Sequence, residues 1–173
     1  MSDFTVRRLE TLTSREFGGL CEVLMDCVEG GASVSFMHPM TLTKAADFWR
    51  EVAAGLSRGE RALLVAQDAD GAIVGTAQVV WAQPENQPHR ADVAKMLVHR
   101  RARRLGVGAA VLEAAERVAA EAGKTLLVLD TASTDAERLY ERRGWHRVGT
   151  IPEFALWPDG APCDTVVYYK RLD

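Results

Sequence analysis

The chain has no surplus of positive charge: 21 Lys and Arg stand against 24 Asp and Glu over 173 residues, a formal net charge of −3. Sequence-independent binding to a phosphate backbone draws on a basic excess, so nucleic acid is not an expected partner. Long apolar runs are lacking too. No stretch approaches the ~18 apolar residues of a membrane span, and Met1 to Glu10 is polar and charged without a hydrophobic signal region. No membrane is therefore expected as a partner, and the expected location is the cytoplasm. Cys21, Cys27 and Cys163 are an odd number without metal-ligand spacing, which argues against a disulfide framework and leaves them as buried or idle thiols. His38, His89, His99 and His146 show neither metal nor triad spacing, and no metal is implied. Internal repeats and low-complexity segments are absent. What is present is a hydrophobic content of 47%, enough for one domain with a substantial core over residues 1–173.

Turn and capping residues divide this chain into a mixed α/β order. A strand over Thr5 to Leu9 is followed by the capping box Thr13-x-x-Glu16, which opens a helix ending near Gly30-Gly31. Ala32 to Met40 reads as loop, and a second helix runs from about Thr43 to Ser57 before Gly59. Strands Ala62 to Gln67 and Ile73 to Trp81 flank Asp70-Gly71, a hairpin signal that makes this part of the sheet antiparallel. After a loop over Gln83 to Arg90, a strand is expected at Ala91 to Val98, a helix over Ala109 to Ala122, and a buried strand at Leu126 to Leu129. That order is a βαβ crossover with a parallel central pair. Along its helix Val111, Ala115, Val118 and Ala122 form the core face, Glu113 and Arg117 an exposed i,i+4 pair, and Gly123 the stop. A further short helix is bounded by a Thr134/Glu137 capping box and by Gly144, with Ala136, Leu139, Tyr140 and Arg143 on one face.

Chemistry concentrates in Arg103-Arg104-Leu105-Gly106-Val107-Gly108, between the central strand and the crossover helix. Glycines let a backbone approach a ligand closely, and the helix that follows aims unpaired N–H groups and a positive dipole end at the loop. The result is a phosphate cradle. It is not the dinucleotide fingerprint, which needs glycine or alanine where Val111 stands, nor the Walker loop, which needs Gly-Lys-Ser/Thr. Two carboxylates also stand out. Asp92 lies early in the strand that feeds the loop, and Asp130 closes the apolar run Leu126 to Leu129 at a carboxyl end, where open α/β sheets bind ligands. The cluster Arg100, Arg101, Arg103 and Arg104 adds positive potential beside the cradle.

Arg-x-x-Gly-x-Gly in this setting resembles the acyl-CoA pyrophosphate signature of the GNAT N-acetyltransferase superfamily. The short helix is similar to the family pattern Asn-x-x-Ala-x-x-x-Tyr-x-x-x-Gly-Phe, met by Ser133, Ala136, Tyr140, Gly144 and Trp145 with Ser for Asn and Trp for Phe. Together the two motifs cover residues 91–145. Weaker similarity, in Gly30 to Met37, Leu129-Asp130-Thr131 and Pro158-Asp159-Gly160, points to the tabtoxin-resistance acetyltransferases, which acylate a small β-lactam amino-acid toxin.

The resemblance implies a GNAT-like α/β fold: a mixed central sheet, antiparallel in its N-terminal part, with a bulged parallel central pair and flanking helices. It implies acetyl-CoA as cosubstrate, held by Arg103, Arg104, Leu105, Gly106, Val107, Gly108 and Ala109, where Leu105 replaces the usual Gly or Arg and offers only its backbone. Backbone groups of Leu97 and Val98 would hold the pantetheine arm and thioester carbonyl, with Ser133 and Ala136 beside the arm. Tyr140 would protonate the departing sulfur, and Asp92 would deprotonate the amine, often through water, with Asp130 as the second candidate base. Antibiotic or toxin resistance follows from the same similarity. No nucleophilic Cys or Ser motif suggests a covalent intermediate, so direct transfer to a small amine is expected. Alternatives are a peptide or protein α-amine acceptor, which needs an open groove, a non-catalytic acyl-CoA-binding module, and a nucleotide-binding regulatory domain. A homodimer is compatible with all of them.

Overall fold

Capping and turn chemistry act where the sequence places them. In the computed structural model, which describes residues 4–172, the first helix α1 (Ser14–Glu29) opens on the reciprocal box: the Thr13 hydroxyl accepts from the Glu16 amide, and the Glu16 carboxylate accepts from the Thr13 amide at 2.8 Å. The second helix, α2 (Leu42–Ser57), is capped by Thr41. Gly71, at φ +75°, turns the hairpin between β2 (Arg61–Asp68) and β3 (Ile73–Val80), and Asp68 fastens it by accepting from the amides of Asp70 and Ala72.

The remaining elements are β1 (Phe4–Leu9), β4 (Arg90–Val98), α3 (Val107–Glu121), β5 (Leu126–Thr131), α4 (Thr134–Arg142), β6 (His146–Leu156) and β7 (Pro162–Arg171). They complete a seven-stranded sheet in the order β1-β2-β3-β4-β5-β7-β6. Neighbours are antiparallel except β4 and β5, which α3 joins as a parallel pair. The mixed fold expected from the sequence is therefore the fold observed.

Strand alternation divides the core into two layers. Leu63 and Val65 of β2 face α1 and α2, packing with Leu20, Leu24 and the fully buried Trp49. Ala62, Leu64 and Ala66, with Ala91 and Val93 of β4 and Leu127 and Leu129 of β5, face α3 and α4. The three cysteines are free and buried. Among the described residues no helix is long and apolar enough to cross a membrane.

Four local expectations differ from the structure. Ser133, not Thr134, caps α4, its hydroxyl accepting from the Ala136 amide at 3.3 Å; Glu137 turns instead to the Tyr168 hydroxyl at 2.9 Å. Glu113 pairs across to Arg143 at 3.4 Å rather than along the helix to Arg117, because α4 ends beside it. Ala122, expected on the core face of α3, is exposed beyond the helix end. The strands β6 and β7 have no counterpart in the sequence reading. Most of β6 is exposed, Pro152 interrupts it, and a register shift between Ile151 and Ala155, with Glu153 at φ +53°, breaks the alternation that marks a strand.

Candidate active site

The site is built around β4, whose two edges differ. Towards β3 it is paired from Asp92 to Val98 with one register break: Thr76 faces Leu97 and Gln78 faces Ala94, so Lys95 and Met96 together oppose the single residue Ala77. This is the bulge the family resemblance implies, and it falls at Lys95 and Met96, with Lys95 at φ +50°; Leu97 and Val98 are back in register with Thr76 and Gly75. Towards β5 pairing lasts only from Arg90 to Asp92, opposite Leu126 to Val128. Beyond Asp92 the two strands separate, and that edge of β4 faces a gap instead of a neighbour.

A single extra residue reverses which side of the sheet each later side chain takes. Lys95 accordingly lies on the α1/α2 side, where its ammonium donates to the Ser35 hydroxyl at 2.9 Å and sits 5.8 Å from the centre of the Phe48 ring. Met96 lies on the opposite side and meets the hydroxyl of Tyr140, which donates to its sulfur at 3.9 Å. Tyr140 is 4% exposed and packed against Trp145 and Tyr168. Burial, and then the charge of Asp130, push its hydroxyl above the ordinary phenol range, so it stays protonated at neutral pH.

Asp92 and Asp130 share the α1/α2 face of the sheet, since Asp92 pairs with Val128, two residues before Asp130 on the same strand. Their surroundings differ. Both oxygens of Asp92 are engaged, one by the Arg90 guanidinium and one by the Gln83 amide at 3.0 Å. Asp130 is held through one oxygen only, accepting from the Thr165 hydroxyl at 2.7 Å, and its charge acts on both Tyr140 and Lys95.

At the far end of β4 the loop continues into α3. Gly106 takes the left-handed conformation at φ +85°, and no side chain caps the helix, so the first-turn amides of Val107, Gly108 and Ala109 are the ones a helix start leaves unpaired. A Cβ on Gly108 would stand 3.4 Å from Leu139, 3.6 Å from Val98 and 4.0 Å from Met96, which is the space between β4 and α4 that opens towards the bulge. Gly75 on β3 seats this turn: a Cβ there would come within 2.6 Å of Val107. Uncapped amides and a floor without side chains fit a pyrophosphate and its attached arm. Two of the four arginines are committed elsewhere, Arg100 to Asp26 at 2.9 Å and Arg101 to Asp68 at 3.1 Å. Arg103 donates to the Val98 carbonyl at 3.4 Å, and Arg104, at φ +63°, and Leu105 are exposed on the loop. Ser133 and Ala136 open α4, and the Ser133 hydroxyl is occupied by the cap.

The structure thus puts Leu97 and Val98 on the part of β4 that β5 leaves unpaired, Tyr140 against that strand at Met96 and the glycine loop at its end; Asp130 lies on β5, and Asp92 stands at the last paired position before the strands separate. Sequence reasoning missed Lys95, Met96, Ser35, Phe48 and Thr165. Ser35 belongs to the loop between α1 and α2, which reaches across to the β6–β7 hairpin: the Ser33 hydroxyl donates to the Leu156 carbonyl at 3.2 Å, and the His38 amide to the Pro158 carbonyl at 2.9 Å. A separate surface concavity of about 560 Å³, lined by His89, Thr125, Leu126, Tyr169, Arg171 and Leu172, lies at the amino end of β5, away from these groups.

Residues 23–145 match the model of the Acetyltransferase (GNAT) family. An uncharacterised N-acetyltransferase of Azospirillum brasilense, from the hisH–hisA intergenic region, is 32% identical over 136 residues, covering 78% of this chain and 79% of the relative. Among solved structures, a GNAT superfamily phosphinothricin acetyltransferase from Sinorhizobium meliloti in complex with acetyl-CoA superposes with a TM-score of 0.81 at 17% identity, over 98% of this chain and 89% of its own. The ribosomal-protein-alanine N-acetyltransferase of Brucella melitensis gives 0.78 at 22% identity, over 97% and 99%. With the cradle, the bulge and the split parallel pair in place, the chain belongs to the GNAT family and is an acetyl-CoA-dependent N-acetyltransferase.

Proposed function

We propose that the acceptor is the amine of a small, amino-acid-like metabolite or antimetabolite, acetylated directly in a ternary complex. The observation that carries the transfer chemistry is the meeting of the Tyr140 hydroxyl with the bulge at Met96, and the one that carries a small acceptor is the tethered loop over Ala32 to Met40. Acetyl-CoA supplies an activated acyl carbon. The first-turn amides of Val107, Gly108 and Ala109, with Gly106, Arg103 and Arg104, suit its pyrophosphate, Leu105 contributing backbone alone. Leu97 and Val98 offer backbone along the open edge of β4, and Ser133 and Ala136 line the other side. Tyr140 holds a proton at its hydroxyl for the leaving sulfur. An ammonium ion cannot attack a thioester, so a base is required, and Asp130 has an oxygen free of protein partners among the described residues whereas Asp92 has none. Asp130 therefore takes the amine proton, and Asp92 orients the water and strand beside it.

Tethering of the loop over Ala32 to Met40 to the β6–β7 hairpin favours an enclosed acceptor over the open groove a peptide needs. The similarity to tabtoxin-resistance enzymes supports toxin inactivation as the biological role, in the cytoplasm. Exposed Val148, Ile151, Phe154 and Leu156 on the free edge strand β6 suit a homodimer. The test is an amine panel incubated with acetyl-CoA while thiol release is followed: a small amino-acid-type acceptor supports the reading, and turnover confined to peptide N-termini refutes it.

A further inference from the structure

We propose that Lys95 reads a carboxylate on the acceptor, making the acceptor site selective for α-amino acids over simple amines. The inference rests on the acetyltransferase reading and specifies its substrate class. Lys95 stands on the bulge itself, on the side of the sheet that also carries Asp92 and Asp130. Its ammonium forms no ion pair among the described residues; its partners are one neutral hydroxyl, Ser35 at 2.9 Å, and the face of Phe48 at 5.8 Å. A partly desolvated cation held by a dipole and a ring is under-compensated, and an anion would complete it. Burial works in the same direction, holding the ammonium below its ordinary range, while the charge of Asp130 partly offsets it.

Both residues of the Lys95–Ser35 contact hold positive φ, +50° and +78°, conformations that non-glycine residues keep only where the surroundings impose them. The contact joins the bulge to the loop that reaches the β6–β7 hairpin. It lies on the opposite face of the sheet from Met96 and Tyr140; with Tyr140 assigned to the leaving sulfur, the acceptor would approach from the Lys95 face. An amino acid placed there meets a cation with its carboxylate and Asp130 with its ammonium. The opposite charges fix which end of the molecule reaches the gap.

The experiment compares proteinogenic L-α-amino acids with their α-carboxamides, both by thiol release from acetyl-CoA and by calorimetric titration into the CoA-saturated protein, for the parent, Lys95→Met and Lys95→Arg. The parent should favour the best acid over its amide by about 10- to 100-fold in kcat/KM and in Kd; the ratio should fall to near one in Lys95→Met and be partly restored in Lys95→Arg. Acetyl-CoA titration reports that each variant is folded. A parent without acid preference, or a preference that survives in Lys95→Met, overturns the proposal. So does an equal loss for acid and amide, which would make Lys95 a tether for the loop. A parent that prefers succinyl-CoA to acetyl-CoA with the amide acceptor, through Lys95, also overturns it, because the carboxylate would then belong to the acyl group. Absence of thiol release with acid-selective binding lost in Lys95→Met would refute the transfer chemistry alone.

Discussion

The two edges of β4 follow opposite rules. Along β3 the strand is in register from Asp92 to Val98 except at the bulge, and backbone groups satisfy one another; along β5 register stops after Asp92, and the polar edge of the strand is left open. Unpaired backbone in a protein interior is costly, so an edge left open this way is maintained only where something else completes it. One strand is therefore paired on one side and open on the other, and the bulge sends Lys95 and Met96 to opposite faces of the sheet.

Breaking the open side should have the largest effect. Tyr140→Phe keeps the packing against Trp145 and Tyr168 and removes only the proton, so kcat should fall by about 100-fold with little change in acetyl-CoA affinity. Equal turnover in parent and variant, measured by thiol release, would reduce Tyr140 to packing. Next in size is Asp130→Asn, expected to lower kcat/KM by about 30-fold and to move the acid limb of its pH profile, while Asp92→Asn, whose parent carboxylate is already engaged on both oxygens, should cost less. A reversed order in rates across pH would return the proton to Asp92. Gly108→Val fills the floor between Val98 and Leu139 and should raise the Kd of acetyl-CoA by about 10-fold in a titration; an unchanged Kd would move the arm elsewhere.

The smallest effect belongs to the closed scaffold, far from the gap. Burial works to raise the Glu16 carboxyl, but the Thr13 amide and hydroxyl and the Arg7 guanidinium outweigh it and hold the group below its ordinary value of 4.5. A carboxyl depressed in the folded state contributes stability above its unfolded value, and that contribution is lost as pH falls through the folded one. Glu16→Gln should thus cost about 1 kcal/mol at neutral pH, and the melting curves of parent and variant should converge in acid. A gap that persists undiminished below pH ~3 would contradict the linkage.

Legibility followed the range of the interactions involved. The Thr13/Glu16 box, the Asp70-Gly71 hairpin and the Gly106-x-Gly108 loop are written in neighbouring residues and could be read directly. Motif and strand-end position single out Tyr140 and the two aspartates as candidates. Lys95 is not among them, because its placement arises from a bulge that depends on the pairing with β3, and no letter in Ala94-Lys95-Met96 signals an extra residue. Ser35 and Phe48 come to it from 60 and 47 positions away in sequence, the first on a loop tethered to the β6–β7 hairpin and the second on α2. Of those two strands β6 gives no signal, being an exposed, interrupted edge, whereas β7 carries the β-branched and aromatic run Thr165 to Tyr169, a strand signal that the sequence reading misses. Gly75 illustrates the same limit: nothing in its neighbouring residues marks it, and the 2.6 Å approach of Val107 to a Cβ there explains it.

The short parallel register between β4 and β5 also sets the mechanics of the molecule. Besides the three facing positions from Arg90 to Asp92, α3 joins the halves: its Glu116 accepts from the Trp145 indole and the Lys170 ammonium, both at 2.7 Å. The sheet therefore has a seam, with most of its backbone pairing to either side and little across. A ligand lying in the gap would act as a stitch, touching β4 on one side and α4 on the other. Its binding free energy would then appear as slowed amide exchange in β5 and β7 as well as in the loop it contacts, tying the two halves into one cooperative unit whenever the donor is bound.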